Sequence, residues 1–292
     1  MAKKSSIKIG PRDIDILTAL SLPLTAAQLL RLSKTFCRPF TAGHDVRRRL
    51  RQLAAADLVR GRPYSSCSNG RSPNYFKLTR LGYRTLHGID VQLPKRRYFE
   101  AMAPAHHHHT NSLSEFVVHA SCLAHEHGWV IRELARENSV RFDAQGMTLF
   151  PDACFQIATP ERTVNFIVEL DNGTERVRTE RDVESIQRKV RGYDLHASQF
   201  QVGHPSRYFV LFVTTRSQSR VQNIVSVTRD TMQNPDRSLF LTTNLDQFLS
   251  TNNLLNDRVF LDNNGRRRSM VRDIVASPKK VGSFVTATPA LC

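Results

Sequence analysis

In the first third of the chain, apolar residues fall at helical spacing in three short blocks and then gather in two strand-like runs. Ile14, Leu17 and Leu20 follow Pro11, which suits a first helical turn, and Pro23 ends the block. Thr25 can cap a second helix, Ala26–Leu32, with Leu29, Leu30 and Leu32 as its apolar stripe. A third helix begins near Thr41. It buries Val46, Leu50 and Leu53 and leaves Arg47, Arg48 and Arg51 largely on other faces. Residues 58–60 and 75–78 predict two strands, joined by an exposed loop rich in Arg, Ser, Asn, Gly and Pro.

Further on, the period changes repeatedly. Ser112 and Glu115 have the spacing of a capping box. Leu113, Phe116, Val117, Ala120 and Leu123 make one buried helical face, and Gly128 stops the helix. Residues 129–134 read as a strand. Two apolar runs, 150–157 and 163–171, flank Thr159, Pro160, Glu161 and Arg162 and predict a β-hairpin. A polar helix is expected over about 179–197 and a strand buried on both sides over 207–215, then a helix over 221–232 and short strands over 238–243 and 258–261. Helices and strands in this order predict a mixed sheet flanked by helices. The expected fold class is therefore α/β in two domains: a basic arm over 1–10, a first domain over 11–88, a linker over 89–105, a second domain over 106–265 and a loose tail over 266–292.

Charge sharpens the picture of the first domain. Residues 1–100 carry 20 Lys and Arg against 6 Asp and Glu, whereas residues 101–292 carry 22 against 20. Three short helices followed by a basic β-ribbon is the order of a winged helix-turn-helix, and a residue-78 to residue-82 Leu-Thr-x-x-Gly run resembles the helix start of many bacterial winged-helix regulators. On this reading the third helix enters the major groove of double-stranded DNA with Arg47, Arg48 and Arg51, and the wing lays Arg62 and Arg71 along the backbone. No run of 18 apolar residues exists, so no membrane span is expected, and the basic N-terminus has no apolar segment of a secretory signal behind it. Five scattered cysteines without a CxxC pair point to a reducing cytoplasm and away from a disulfide framework or thiolate zinc site.

Candidate chemistry lies in the second domain. Alternation along 163–171 sends Val164, Phe166, Val168 and Leu170 to one face and Asn165, Ile167, Glu169 and Asp171 to the other. Asp152, near the start of the preceding run, joins them if the hairpin pairs in the expected register. Three converging carboxylates repel each other unless a cation lies between them, which makes Asp152, Glu169 and Asp171 candidate ligands for Mg²⁺ or Mn²⁺. On the following helix Asp182, Ile186, Lys189 and Tyr193 recur on one face. The run His106 to His109 invites a metal reading too, although consecutive residues rarely face one ion.

These residues carry a resemblance. Pro151-Asp152, Glu169-x-Asp171 on the next strand and Lys189 on the next helix resemble the PD-(D/E)XK nuclease superfamily. The fuller combination resembles the replication-relaxation family of plasmids and other mobile elements: winged helix, His109 before a helix, Pro-Asp, Glu169-Leu-Asp-Asn-Gly-Thr-Glu175, Lys189-x-x-x-Tyr193 and the strand ending in Thr214-Thr215. The resemblance implies a restriction-endonuclease-like core in which Asp152 and Glu169 hold a divalent ion, Lys189 stabilises charge on phosphate and Tyr193 orients its neighbours. The superfamily usually has Lys two residues after the second acid, where this chain has Asp171. Either Lys189 replaces it from the helix, or the scaffold has lost cleavage. Two functions follow: a metal-dependent DNA endonuclease or nickase acting in replication or transfer, or a non-catalytic DNA-binding regulator that uses the second domain to hold DNA or to form a homodimer.

Overall fold

The computed structural model describes residues 7–65, 72–136, 139–174, 176–178, 185–201 and 203–271. The chain divides into two compact units, residues 1–122 and 123–292.

The first unit contains α1 (Pro11–Ala19), β1 (Leu24–Thr25), α2 (Ala26–Leu32), α3 (Gly43–Ala55), β2 (Val59–Pro63), β3 (Asn74–Leu78), α4 (Arg80–His87) and the larger part of α5 (His107–Glu126). Its three strands form an antiparallel sheet in the order β1-β3-β2. Local chemistry sets the helix starts. The Thr25 hydroxyl accepts the Gln28 N–H at 3.2 Å, and the Gln28 side chain accepts the Thr25 N–H at 2.8 Å. Ile16, Leu17, Leu29, Val46, Leu50 and Leu53 are fully buried, so the apolar stripes of α1, α2 and α3 build the core.

The Leu-Thr-x-x-Gly run has a physical explanation here. Thr79 caps α4 by accepting the Gly82 N–H at 3.0 Å and donates its hydroxyl proton to the Asp57 carbonyl. The first turn of α4 presses against the Leu58 carbonyl so closely that a Cβ on Gly82 would lie 1.9 Å from that oxygen.

Several expectations differ from the structure. The second compact unit starts after Cys122 and not at 106, and within the tail expected to be loose Arg267 and Arg268 pair with Leu261 and Phe260 while Met270 and Val271 are buried. Residues 89–105 are not a free linker: Lys77 Nζ donates to the Glu100 carbonyl at 2.8 Å, the Met102 N–H donates to the Tyr75 hydroxyl at 3.0 Å, and Tyr98 and Phe99 pack edge-on against Tyr83. The capping box at Ser112 and Glu115 is not formed either, because α5 begins at His107. Tertiary partners claim the would-be capping region: the Ser114 hydroxyl donates to the Pro23 carbonyl at 2.9 Å, and Glu115 accepts from Gln28 and Arg31. His107 is buried, with Nδ1 accepting the Ser65 N–H at 2.8 Å and Nε2 facing the Met102 carbonyl at 3.3 Å, which assigns the proton to Nε2.

The second unit holds a seven-stranded sheet in the order β12-β11-β10-β9-β8-β7-β4. The strands are β4 (Val130–Arg136), β7 (Ala153–Ala158), β8 (Thr163–Asp171), β9 (Tyr208–Thr214), β10 (Phe240–Asn244), β11 (Phe260–Asp262) and β12 (Arg267–Arg268), and a separate hairpin consists of β5 (Phe142–Ala144) and β6 (Met147–Leu149). β7 and β8 pair antiparallel with Phe155 opposite Phe166, whereas β8, β9 and β10 run parallel. The parallel links pass through α6 (Ile186–Ala197) and α7 (Gln218–Thr231), and α8 (Leu245–Leu249) follows β10. Two successive crossovers of the same hand place α6 and α7 on one face of the sheet. The shared core of Ile167, Ile186, Val190, Tyr193, Val210, Phe212, Ile224 and Val227 is the result. The hairpin, which the sequence pattern did not reveal, turns at Gln145 and Gly146 with φ of 46° and 80°, and it rests on α6, where a Cβ on Gly192 would lie 2.7 Å from Leu149. Of the expected helix over 179–197, the part before Ser185, Asp182 included, lies outside the described residues.

Gly82→Ala forces α4 away from the Leu58 carbonyl, and we expect it to lower stability by about 2 kcal/mol or more. Urea denaturation checks this, and a variant as stable as the parent would contradict the close packing.

Candidate functional site

Ile167 points into the core beneath α6 and α7, so Glu169 and Asp171, two and four residues further along β8, leave the strand on that same face. Both are buried, at 2% and 4% exposure. A carboxylate taken out of water must be protonated or paired, and each of these is answered by a different crossover helix.

Glu169 is answered from α6. The Tyr193 hydroxyl, fully buried, donates to Oε1, and Nζ of Lys189 lies 2.9 Å from Oε2. That ammonium pairs with Oε2 and counters the charge of the buried carboxylate. Burial pushes the Glu169 carboxyl up to about 7. Lys189 pulls it down, and the negative charge of Asp152 adds to the rise. Asp152 is half-buried beside the same position, its Oδ2 accepting the Leu170 N–H at 2.7 Å. The structure thus brings Asp152, Glu169, Lys189 and Tyr193 together.

Asp171 is engaged elsewhere. Arg220, on α7, grips it with two hydrogen bonds, Nε to Oδ2 and Nη2 to Oδ1, both 2.8 Å. The Thr214 hydroxyl donates to Oδ2 at 2.8 Å and the Gly173 N–H to Oδ1 at 2.9 Å. Burial alone would raise this carboxyl, but Arg220 and Thr214 outweigh it and hold the group below the usual range. The convergence of three acids expected from the sequence therefore does not occur in this arrangement. Among the described residues, no three His, Cys, Asp or Glu side chains gather where one ion could bind, and His106 to His109 are no exception. Two carboxylates remain, Asp152 and Glu169. Mg²⁺ commonly takes one or two carboxylates and fills its other positions with water and phosphate oxygens, so Asp152 and Glu169 are the residues that could hold such an ion, with the Lys189 ammonium now beside Oε2.

Sequence reasoning missed Arg220 and gave Thr214, noted only at the end of its strand, no role. The signal available was the parallel neighbour strand: Thr214 lies directly opposite Asp171 in register, and the helix bearing Arg220 begins four residues later.

In the first unit, Arg47 and Arg51 are exposed on α3 and have no carboxylate partner among the described residues. Arg48 pairs with Asp45 at 2.7 Å on the surface, and Arg49 clasps the buried Asp13 with two bonds of 2.6 Å. Arg62 lies half-buried on β2, and Arg71 is outside the described residues. No helix among the described residues is long and apolar enough to cross a membrane.

A model of the replication-relaxation family matches residues 19–205, from the end of α1 to just short of β9. No curated protein and no solved structure matches the chain.

The raised Glu169 carboxyl sets a pH dependence. The folded chain keeps this proton after the unfolded chain has released it, so ionisation costs stability as pH climbs from the ordinary value of 4.5 through about 7. His196, lowered by burial, acts with the opposite sign, so a difference is needed to isolate Glu169. The stability of the wild type minus that of Glu169→Gln should fall between about pH 5 and about pH 8 in urea titrations. Parallel profiles would remove the charge-burial account.

Proposed function

The chain belongs to the replication-relaxation family, and from that premise we propose that it is a DNA-binding protein of plasmid or mobile-element replication or transfer whose second unit is a divalent-metal-dependent endonuclease or nickase. The observation that carries this reading is the meeting of Asp152, Glu169, Lys189 and Tyr193 on one face of a mixed sheet. Asp152 and Glu169 would hold Mg²⁺ or Mn²⁺, which when bound polarises a scissile phosphate and acidifies an attacking water. Tyr193 fixes the rotamer of Glu169 through its hydroxyl. Lys189, now facing Glu169, carries an ammonium on a flexible stem that can swing to charge developing on phosphate, in place of the lysine the superfamily usually has where Asp171 stands. Asp171 acts as a positioning residue, tying the end of β8 to α7 through Arg220.

The first unit supplies the grip on double-stranded DNA. Its helices and three-stranded sheet suit a winged helix-turn-helix, with Arg47 and Arg51 on α3 free to meet phosphates and Arg48 able to exchange Asp45 for one. A second reading, a non-catalytic regulator of replication or transcription, is favoured by the near-complete burial of Glu169 and the capture of Asp171 by Arg220. In that case the second unit serves to hold DNA or to form a homodimer.

Supercoiled plasmid incubated with Mg²⁺ or Mn²⁺ separates the two. The wild type should nick or linearise it, with Asp152→Ala and Glu169→Ala slower by about a hundredfold or more. Intact plasmid in all three reactions, alongside duplex binding that weakens with salt, would establish the regulator. In fluorescence anisotropy, Arg47→Ala combined with Arg51→Ala should reduce the slope of log affinity against log salt by about two; an unchanged slope would remove α3 from the interface.

A further inference from the structure

The first unit also contains a concavity of about 370 Å³ lined by Asp57, Arg60, Arg62, Thr79, Arg80, Leu81, Arg96, Phe99 and Glu100. Four guanidinium groups around one hollow repel each other, and its two carboxylates relieve only part of that. Asp57 pairs with Arg60 at 3.4 Å and Glu100 with Arg96 at 2.6 Å. Arg62 and Arg80 have no carboxylate partner among the described residues. The hollow is thus left with two positive charges in excess, a match for a phosphate monoester, which carries between one and a half and two negative charges, about −1.5 to −2, near neutral pH. Guanidinium forks are also the side chains best shaped to bind phosphate oxygens in pairs.

The wall is not only cationic. Leu81, at 42% exposure, is one of the few large apolar side chains left open to solvent, and it lines this hollow beside the ring of Phe99. The Arg80 guanidinium carbon lies 6.0 Å from the centre of that ring. A ligand that fills the site therefore needs a phosphate for the arginines and a flat apolar part for Leu81 and Phe99. Inorganic phosphate lacks the second part, and an acidic peptide lacks the charge density of the first. The hollow is on the scale of small ligand sites, which start near 300 Å³.

We propose that this hollow binds a single nucleotide unit with a terminal 5′-phosphate, the phosphate on Arg62 and Arg80 and the base against Leu81 and Phe99. The unit comes either from a free nucleoside monophosphate or from the phosphorylated end of a DNA strand. The site uses none of the α3 arginines, so it stands whether or not α3 enters a groove.

Calorimetry of the full chain with deoxyadenosine 5′-monophosphate and with deoxyadenosine, and anisotropy of a single-stranded decamer with and without a 5′-phosphate, test it. The wild type should prefer the phosphorylated partner by about tenfold or more in at least one of the two pairs. Preference for the free nucleotide identifies that source, and preference confined to the decamer identifies a strand end. Arg80→Glu should abolish the preference and Arg80→Lys should retain part of it; Arg80→Gln, with no charge reversed, serves in place of Arg80→Glu should the latter melt early. No preference in the wild type, or one that survives both Arg80→Glu and Arg80→Gln, overturns the proposal. Duplex binding lost on Arg47→Ala and Arg51→Ala has no bearing on this outcome, so the two readings fail separately.

Discussion

Placing two carboxylates on the buried face of β8 is the constraint to which the second unit answers. β8 lies between β7 and β9, so its backbone is satisfied on both edges, and the residues pointing under α6 and α7 would ordinarily be apolar. Val210 and Phe212 on the neighbouring strand obey that rule. Glu169 and Asp171 do not, and an unpaired charge there costs several kcal/mol, about 3–5 when one partner of a buried pair is removed. The topology makes the remedy available: both crossovers run the same way, so two helices cover one face, and each supplies one cation. Lys189 comes from the first and Arg220 from the second.

The two remedies are chemically unlike, and that difference separates a structural pair from a candidate for chemistry. Arg220 holds Asp171 in a planar two-bond fork, and Thr214 and Gly173 occupy the remaining directions, so the group is saturated and its charge is fixed. Glu169 has two partners, the Tyr193 hydroxyl at Oε1 and, 2.9 Å from Oε2, an ammonium on a flexible stem. Burial has raised its carboxyl to about 7, where a modest change in surroundings moves its proton. Asp152, fixed by the Leu170 N–H, adds a second negative charge that Glu169 feels. A saturated pair stabilises a fold. A carboxylate countered by one flexible ammonium, with another acid beside it, is held less firmly.

Much of this was legible in the sequence, for identifiable reasons. Strict alternation along 163–171 assigned Glu169 and Asp171 to one face, and the three- and four-residue spacing of Ile186, Lys189 and Tyr193 put Lys189 and Tyr193 on the side of α6 that meets it. The helix stripes through Val46, Leu50 and Leu53 and through Leu113, Phe116 and Ala120 were equally plain, since all six residues are buried. What stayed hidden was long-range. Nothing local pairs Asp171 with a residue 49 positions later, and a same-face rule cannot say which of two acids a given cation will reach. The β5–β6 hairpin escaped because Gln145-Gly146 lacks the Asn or Asp that usually marks such a turn. Ser112 and Glu115 had the right spacing for a cap, but Glu115 was spent on Gln28 and Arg31, and α5 starts earlier, at His107, whose ring nitrogens face Ser65 and Met102.

The same sorting applies to the basic first unit, where net charge alone would treat every arginine as part of one footprint. Arg49 is structural, since it neutralises the buried Asp13 that caps α1, and removing it would strand a carboxylate. Arg60 and Arg96 are half spent on Asp57 and Glu100. Arg47 and Arg51 stand on a helix face whose opposite side is anchored by Val46, Leu50 and Leu53, so their positions are fixed by a core although their charges are not used in it. A charge held in place by packing and left without a partner has its desolvation still to come, and a polyanion that meets several such groups gains both the Coulomb attraction and the release of its own counter-ions. Partner by partner, then, the excess of positive charge resolves into a few arginines that hold the fold and a few that the fold holds out.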